Sequence, residues 1–81
     1  MICVSRKAAA DLDRNQANEA LMRHMTGDWG EVDETEFAKN DEALLKDDRI
    51  VSSYLNRELR RFLIITEADR SATTILLPEE H

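Results

Sequence analysis

The chain has 81 residues, 42% apolar and 35% charged, with a net charge of −6 at pH 7. That gives room for one domain with a marginal core, since a chain this short hides only about 60% of its unfolded surface, while its clustered Ile, Val and Leu argue against disorder. The single cysteine, Cys3, excludes an internal disulfide, and the longest apolar run, Phe62 to Ile65, falls far short of the roughly 20 residues that a membrane-spanning helix needs.

Taken in chain order, Ile2-Cys3-Val4 fits a short strand and runs straight into Arg6 and Lys7, which is too short an apolar stretch for a secretory signal. A reducing cytosol is therefore expected. Asp13 followed by Gln16 has the spacing of a capping box, and a helix is expected from Asn15, with Ala17, Leu21 and Met25 four apart and Ala20 and His24 flanking the same face. Gly27 fits a helix stop. Asp28-Trp29-Gly30 reads as a tight loop carrying a large anchor. Asp33 and Glu36 repeat the capping-box spacing before a second helix over Thr35 to Lys46, whose acidic first turn suits the helix dipole and whose Phe37, Leu44 and Leu45 are expected to face inward. Asp47-Asp48 breaks it.

The last third reads as sheet. Strands are expected over Arg49 to Tyr54, over Arg60 to Thr66 and over Ala72 to Leu77, with a turn at Leu55 to Leu59, a polar connection at Glu67 to Ser71, and Pro78 ending the last strand. The order (β)ααβββ predicts an α+β fold: two helices packed on a small three- to four-stranded antiparallel sheet. The expected core is Leu21, Met25, Trp29, Phe37, Leu44, Leu45, Ile50, Leu63, Ile65, Ile75 and Leu77.

Three stretches carry a resemblance: Arg23-His24-Met25-Thr26-Gly27-Asp28-Trp29-Gly30, Asn40-Asp41-Glu42-Ala43-Leu44, and the run from Ile64-Ile65-Thr66-Glu67-Ala68-Asp69-Arg70-Ser71 through Ala72-Thr73-Thr74-Ile75-Leu76-Leu77-Pro78-Glu79-Glu80. Together they resemble a family of small bacterial proteins of unassigned activity found on plasmids, integrative elements and phages. Some of these are described as restriction-modification methylation subunits. That label carries no weight here, because 81 residues cannot hold a methyltransferase domain; the resemblance implies a mobile-element setting and no activity, since the family has none established. Members of that family usually place Gly in the turn before the central strand and end in an aromatic residue, where this chain has Asn56-Arg57-Glu58 and His81.

Charge is the feature that points toward function. From Asp28 to Asp48 there are nine carboxylates against Lys39 and Lys46, a net −7; the remaining residues sum to +1. Free nucleic acid is a poor partner for such a segment, because phosphates need cations. The stretch Asp33 to Asp48 would span about 24 Å as a helix. Duplex DNA of that length carries roughly 14 charges, twice what the segment offers, so complete duplex mimicry is a poor fit. Docking on the basic surface of a nucleic-acid-binding host protein needs fewer charges, since a handful suffices to steer and align a partner.

The candidate partner-binding residues are therefore Glu31, Glu34, Asp41, Glu42 and Asp48 on the acidic segment, with Asp28 and Trp29 in the loop before it. Glu67, Asp69 and Arg70 join them from the loop between the last two strands, where an internal Asp–Arg pair is the plainer expectation. Trp29 is expected to anchor the core, His24 to sit at a boundary, and Cys3 to act as a small apolar side chain. No phosphate loop, nucleophile elbow or His/Cys metal spacing is present, so no catalytic residue, metal or cofactor is expected. The expected function is that of a small acidic interaction protein from a mobile element, acting on a host defence or nucleic-acid-processing complex of CRISPR or restriction type. A ligand-binding domain or enzyme using the Glu67–Ser71 loop, or a homodimer that completes its sheet with a second copy, are the alternatives.

Overall fold

The computed structural model describes residues 1–81. Two helices of expected length form where the caps place them. Asp13 accepts the Gln16 amide at 2.7 Å and opens α2, Arg14–Met25, while Asp33 accepts the Glu36 amide at 2.8 Å and opens α3, Glu34–Lys46. A further short helix, α1 (Arg6–Asp11), not among the expected elements, is capped by Ser5, whose hydroxyl takes the Ala8 amide at 3.1 Å. α2 ends in a Schellman arrangement: Gly27 adopts a φ of 85°, Asp28 N donates to Arg23 O at 2.8 Å and Gly27 N to His24 O at 3.4 Å. α3 ends on Asp47 in the left-handed region, with Asp48 N donating to Ala43 O.

The strands are β1 (Ile2–Val4), β2 (Ile50–Leu55), β3 (Arg61–Thr66) and β4 (Thr73–Leu76), and they form one four-stranded sheet in the order β1-β4-β3-β2. The fold class is α+β, as expected. The sheet is mixed rather than antiparallel: β2, β3 and β4 form the expected meander, but β1 lies parallel to β4 with Val4 opposite Ile75. Its partner lies at the far end of the chain, and an alternation pattern carries no information about strand direction.

One face of the sheet presents Tyr54, Phe62, Ile64 and Ile75 to α1 and α2, where Ala8 and Ala20 pack against them. Complete burial of Ile64 and Ile75 contributes about 2 kcal/mol each. A smaller cluster joins Trp29, Ala43 and Ile50. Five of the expected core residues (Trp29, Ile50, Leu63, Ile65 and Ile75) are buried, and Leu21 and Leu77 pack partly buried against the main cluster.

Met25, Phe37, Leu44 and Leu45 are instead exposed, by 76%, 48%, 52% and 87%. The reason is the placement of α3. It lies along the outer edge of β2 rather than on the sheet face. The side-chain amide of Asn40, buried, donates to Val51 O at 2.6 Å and accepts Val51 N at 3.1 Å, as a neighbouring strand would. One residue pair further along, Ser53 N donates to Trp29 O and Glu31 N to Ser53 O. Gly30 makes this approach possible, since a Cβ there would stand 2.1 Å from Ser53 O. The edge of β2 is thus closed, which removes its tendency to pair with other chains.

The turn at residues 56–60 holds without glycine. Asn56 Oδ1 accepts the amides of Glu58 and Arg60, both at 2.9 Å, and Leu59 takes the left-handed conformation at φ 61°. At the C-terminus the turn Pro78–Glu80 folds back against β3, and Arg49 donates to His81 Nε2 at 2.9 Å.

Candidate functional site

The way α3 docks determines which of its side chains meet solvent. With Asn40 and Ala43 turned to the sheet, Phe37, Asp41 and Leu44 recur every three or four residues on one flank of α3, with Glu34 and Leu45 beside them and Asp48 just beyond the helix end. Carboxylates and large apolar side chains are therefore interspersed along one exposed surface. Glu31, Glu34, Asp41 and Asp48 form no ion pair; within α3 only Glu42 does, with Lys46 at 2.5 Å on the far side of the helix. Asp41 Oδ1 accepts a hydrogen bond from Trp29 Nε1 at 3.1 Å.

Elsewhere three arginines pair with carboxylates, Arg23 with Asp28, Arg57 with Asp13, and Arg60 with Asp11, while Arg6, Lys7 and Arg14 form no ion pair. Arg61 donates to Glu31 O and to Ser53 Oγ. The negative potential therefore rises at the α3 edge, and the surface away from it is close to neutral.

The Glu67–Ser71 loop is built differently from the expected Asp–Arg pair. Arg70, at φ 63°, turns its guanidinium onto carbonyls: Ala43 O at 3.0 Å, Asp48 O at 2.5 Å and Glu67 O at 3.2 Å. It places a cation at the negative end of α3, adding a charged donor to Ala43 O and tying that helix end to the loop. Asp69 instead takes the Ser71 amide at 2.9 Å, and contacts with Ser71 hold its carboxyl below the usual range. Arg70 thereby ties the loop to the end of α3, so that two of the sequence-derived surfaces, the acidic helix and this loop, adjoin.

Asp28 lies apart from them. Arg23 donates to both its oxygens, at 2.8 and 3.2 Å, and this contact depresses its carboxyl pKa. Trp29 is 2% exposed and packs with Ala43, Ile50 and Val32, so its ring serves as the anchor of α3 and offers a partner no free face.

Between α2, α3 and the sheet runs an open cleft of about 560 Å³. Leu21, Met25, Leu44 and Ile50 give it apolar walls, Trp29 and His24 sit at its floor, and Arg70 lies at one side. His24 is buried, correcting its boundary placement. Its Nδ1 meets Ser52 Oγ, and its Nε2 meets Thr66 Oγ1 at 2.7 Å; Thr66 Oγ1 in turn lies 2.9 Å from Thr73 Oγ1. With Ser52 donating toward Ile64 O at 3.5 Å, the pattern fits a neutral ring protonated on Nδ1. Burial lowers its pKa from 6.5 to about 4, which makes it a weak base at neutral pH. The Trp29 ring stands edge-on to it at 5.8 Å.

Sequence reasoning missed His24, Ser52, Thr66, Thr73 and Asn40. A signal existed for His24, four residues from Ala20 on the buried face of α2, and for Ser52, a small polar residue inside an apolar strand. No group of three or more His, Cys, Asp or Glu is placed to hold a metal ion, and no helix is long and apolar enough to cross a membrane. Comparison of the chain with protein-family models, with curated proteins and with solved structures gives no match.

Proposed function

We propose that this chain is a small acidic interaction protein, of mobile-element origin, that covers a basic nucleic-acid-binding surface on a host protein and so inhibits or modulates a defence or nucleic-acid-processing complex. The observation that carries this reading is the concentration of charge: Glu31, Glu34, Asp41 and Asp48 stand exposed and without ion pairs in a segment, Asp28 to Asp48, that sums to −7, while the remaining residues sum to +1. Unpaired charge of one sign steers association with a surface of the other sign and is weakened by salt. The mobile-element setting rests on the sequence resemblance alone.

The test is capture from host-cell extract by the tagged chain, with duplex DNA as competitor. Nucleic-acid-binding proteins should be retained, released by the competitor, and lost when Glu31, Glu34 and Asp48 are all changed to Lys. Retention of the same proteins by the triple variant would remove this surface from the account.

A further inference from the structure

The acidic edge is not purely acidic. Phe37, Leu44 and Leu45 interrupt its carboxylates, and Leu44 lines the cleft together with Met25, exposed by 76%, and the exposed Met1 and Ile2. Large apolar side chains left in water on and around an open cleft are a cost that folding alone does not explain, and such patches mark interaction sites.

We infer that the cleft between α2 and α3 receives one cationic amphipathic helix of the partner, whose apolar residues enter between Met25 and Leu44 while its Lys or Arg side chains meet Glu34, Asp41 and Asp48. This rests on the reading of the acidic edge as a docking surface, and specifies what that edge grips. Charge complementarity selects the occupant. Glu34 and Asp41 lie seven residues apart on α3 and Asp48 follows just beyond its end, so cations two turns apart on a neighbouring helix can meet the first two. The cleft walls contain no carboxylate, and the guanidinium of Arg70 among them is turned onto three carbonyls. The interior therefore accepts apolar side chains, and the charge contacts fall outside it. Volume agrees: about 560 Å³ is within the range of pockets that enclose a few side chains. A neutral apolar helix would leave the carboxylates unpaired, and an extended polybasic strand would leave the cleft empty.

The test uses two labelled synthetic peptides of the same Lys and Leu composition. One places its leucines at i, i+4, i+7 and i+11; the other scatters them. Binding is read by fluorescence anisotropy at low salt, and independently by emission of Trp29, the single tryptophan, at the cleft floor. The patterned peptide should bind about tenfold or more tighter than the scattered one. Leu44→Ser or Met25→Ser should each remove most of that advantage; both residues are exposed, and an unchanged urea midpoint certifies the fold.

Equal binding of the two peptides, lost on charge reversal of Glu31, Glu34 and Asp48, overturns the cleft assignment and leaves the acidic docking surface standing. Binding of neither peptide overturns both. A doubling of mass that is abolished by Leu44→Ser also overturns it, since the cleft then seats a second copy of this chain.

Discussion

Acid should weaken this fold through one ring before it reaches any carboxylate. His24 has a folded pKa of about 4 against 6.5 when free, because burial disfavours the imidazolium. No carboxylate lines the cleft beside it, and Arg70 there is a like charge. A depressed histidine pKa means that the unfolded chain binds the proton first, so stability is full above about pH 6.5 and declines as pH falls toward 4. Linkage gives a loss of about 2 kcal/mol at pH 5. Solvent in the open cleft screens the ring, which reduces this to about 1–2 kcal/mol. The depressed carboxylates (Asp13, Asp28, Asp69 and Glu80) act in a lower window: their contributions are present above their ordinary values of 3.8 to 4.5 and are lost only as pH falls below that range.

Urea denaturation followed by Trp29 emission at pH 7.5 and pH 5 separates the two windows. His24→Gln, neutral throughout, supplies the reference and cancels changes in overall charge. The native chain should lose about 1–2 kcal/mol more than the variant between the two pH values, with the denaturant slope unchanged. An equal loss in both chains would show that the ring accepts its proton in place, and the account of a neutral buried histidine would fail.

Leu59→Gly should stabilise the chain by about 1 kcal/mol, raising Tm by about 4–8 °C in calorimetry, because an exposed leucine at φ 61° gives way to the residue that tolerates it. Asn40→Asp should cost about 3 kcal/mol at pH 7 in chemical denaturation, because it loses the donor to Val51 O and sets a buried carboxylate against a carbonyl; partial recovery is expected at acid pH, where a protonated carboxyl donates again. Gly30→Ala should cost more than about 3 kcal/mol, for want of room beside Ser53 O. Gly27→Ala, with nothing within 4 Å of its Cβ, should cost about 1 kcal/mol; similar Tm losses for both would refute the steric reading of Gly30.

The elements were legible where local chemistry sets them. Asp13 and Asp33 mark both helix starts, Gly27 marks a stop, and the β-branched runs mark three strands, because capping and alternation act over a few residues. What was not legible depended on distant partners. The direction of β1 is decided by β4 at the other end of the chain. The inward face of α3 was misread because Phe37, Leu44 and Leu45 have the larger apolar surface, yet the helix docks by Asn40 and Ala43. A polar side chain that imitates a strand partner leaves no periodic trace in the sequence. The same holds for Arg70, whose partners are backbone carbonyls rather than the adjacent Asp69.

That misreading bears on function. Had α3 lain flat on the sheet, its apolar residues would be the core, and its carboxylates a solvated back with no role in docking. Because Asn40 and Trp29 hold the helix at the sheet edge, the residues that stabilise α3 and the residues it displays are different sets. Asn40, Ala43 and Trp29 are buried; Glu34, Phe37, Leu44, Leu45 and Asp48 are not. Substitution of the displayed set therefore changes what the edge can hold while leaving the contacts that fix it, so a loss of binding in those variants reports on recognition rather than on unfolding. Asp41 is the exception, because its Oδ1 accepts from Trp29 Nε1. Asp41→Asn, which keeps an acceptor oxygen and removes the charge, tests its electrostatic part without releasing the anchor.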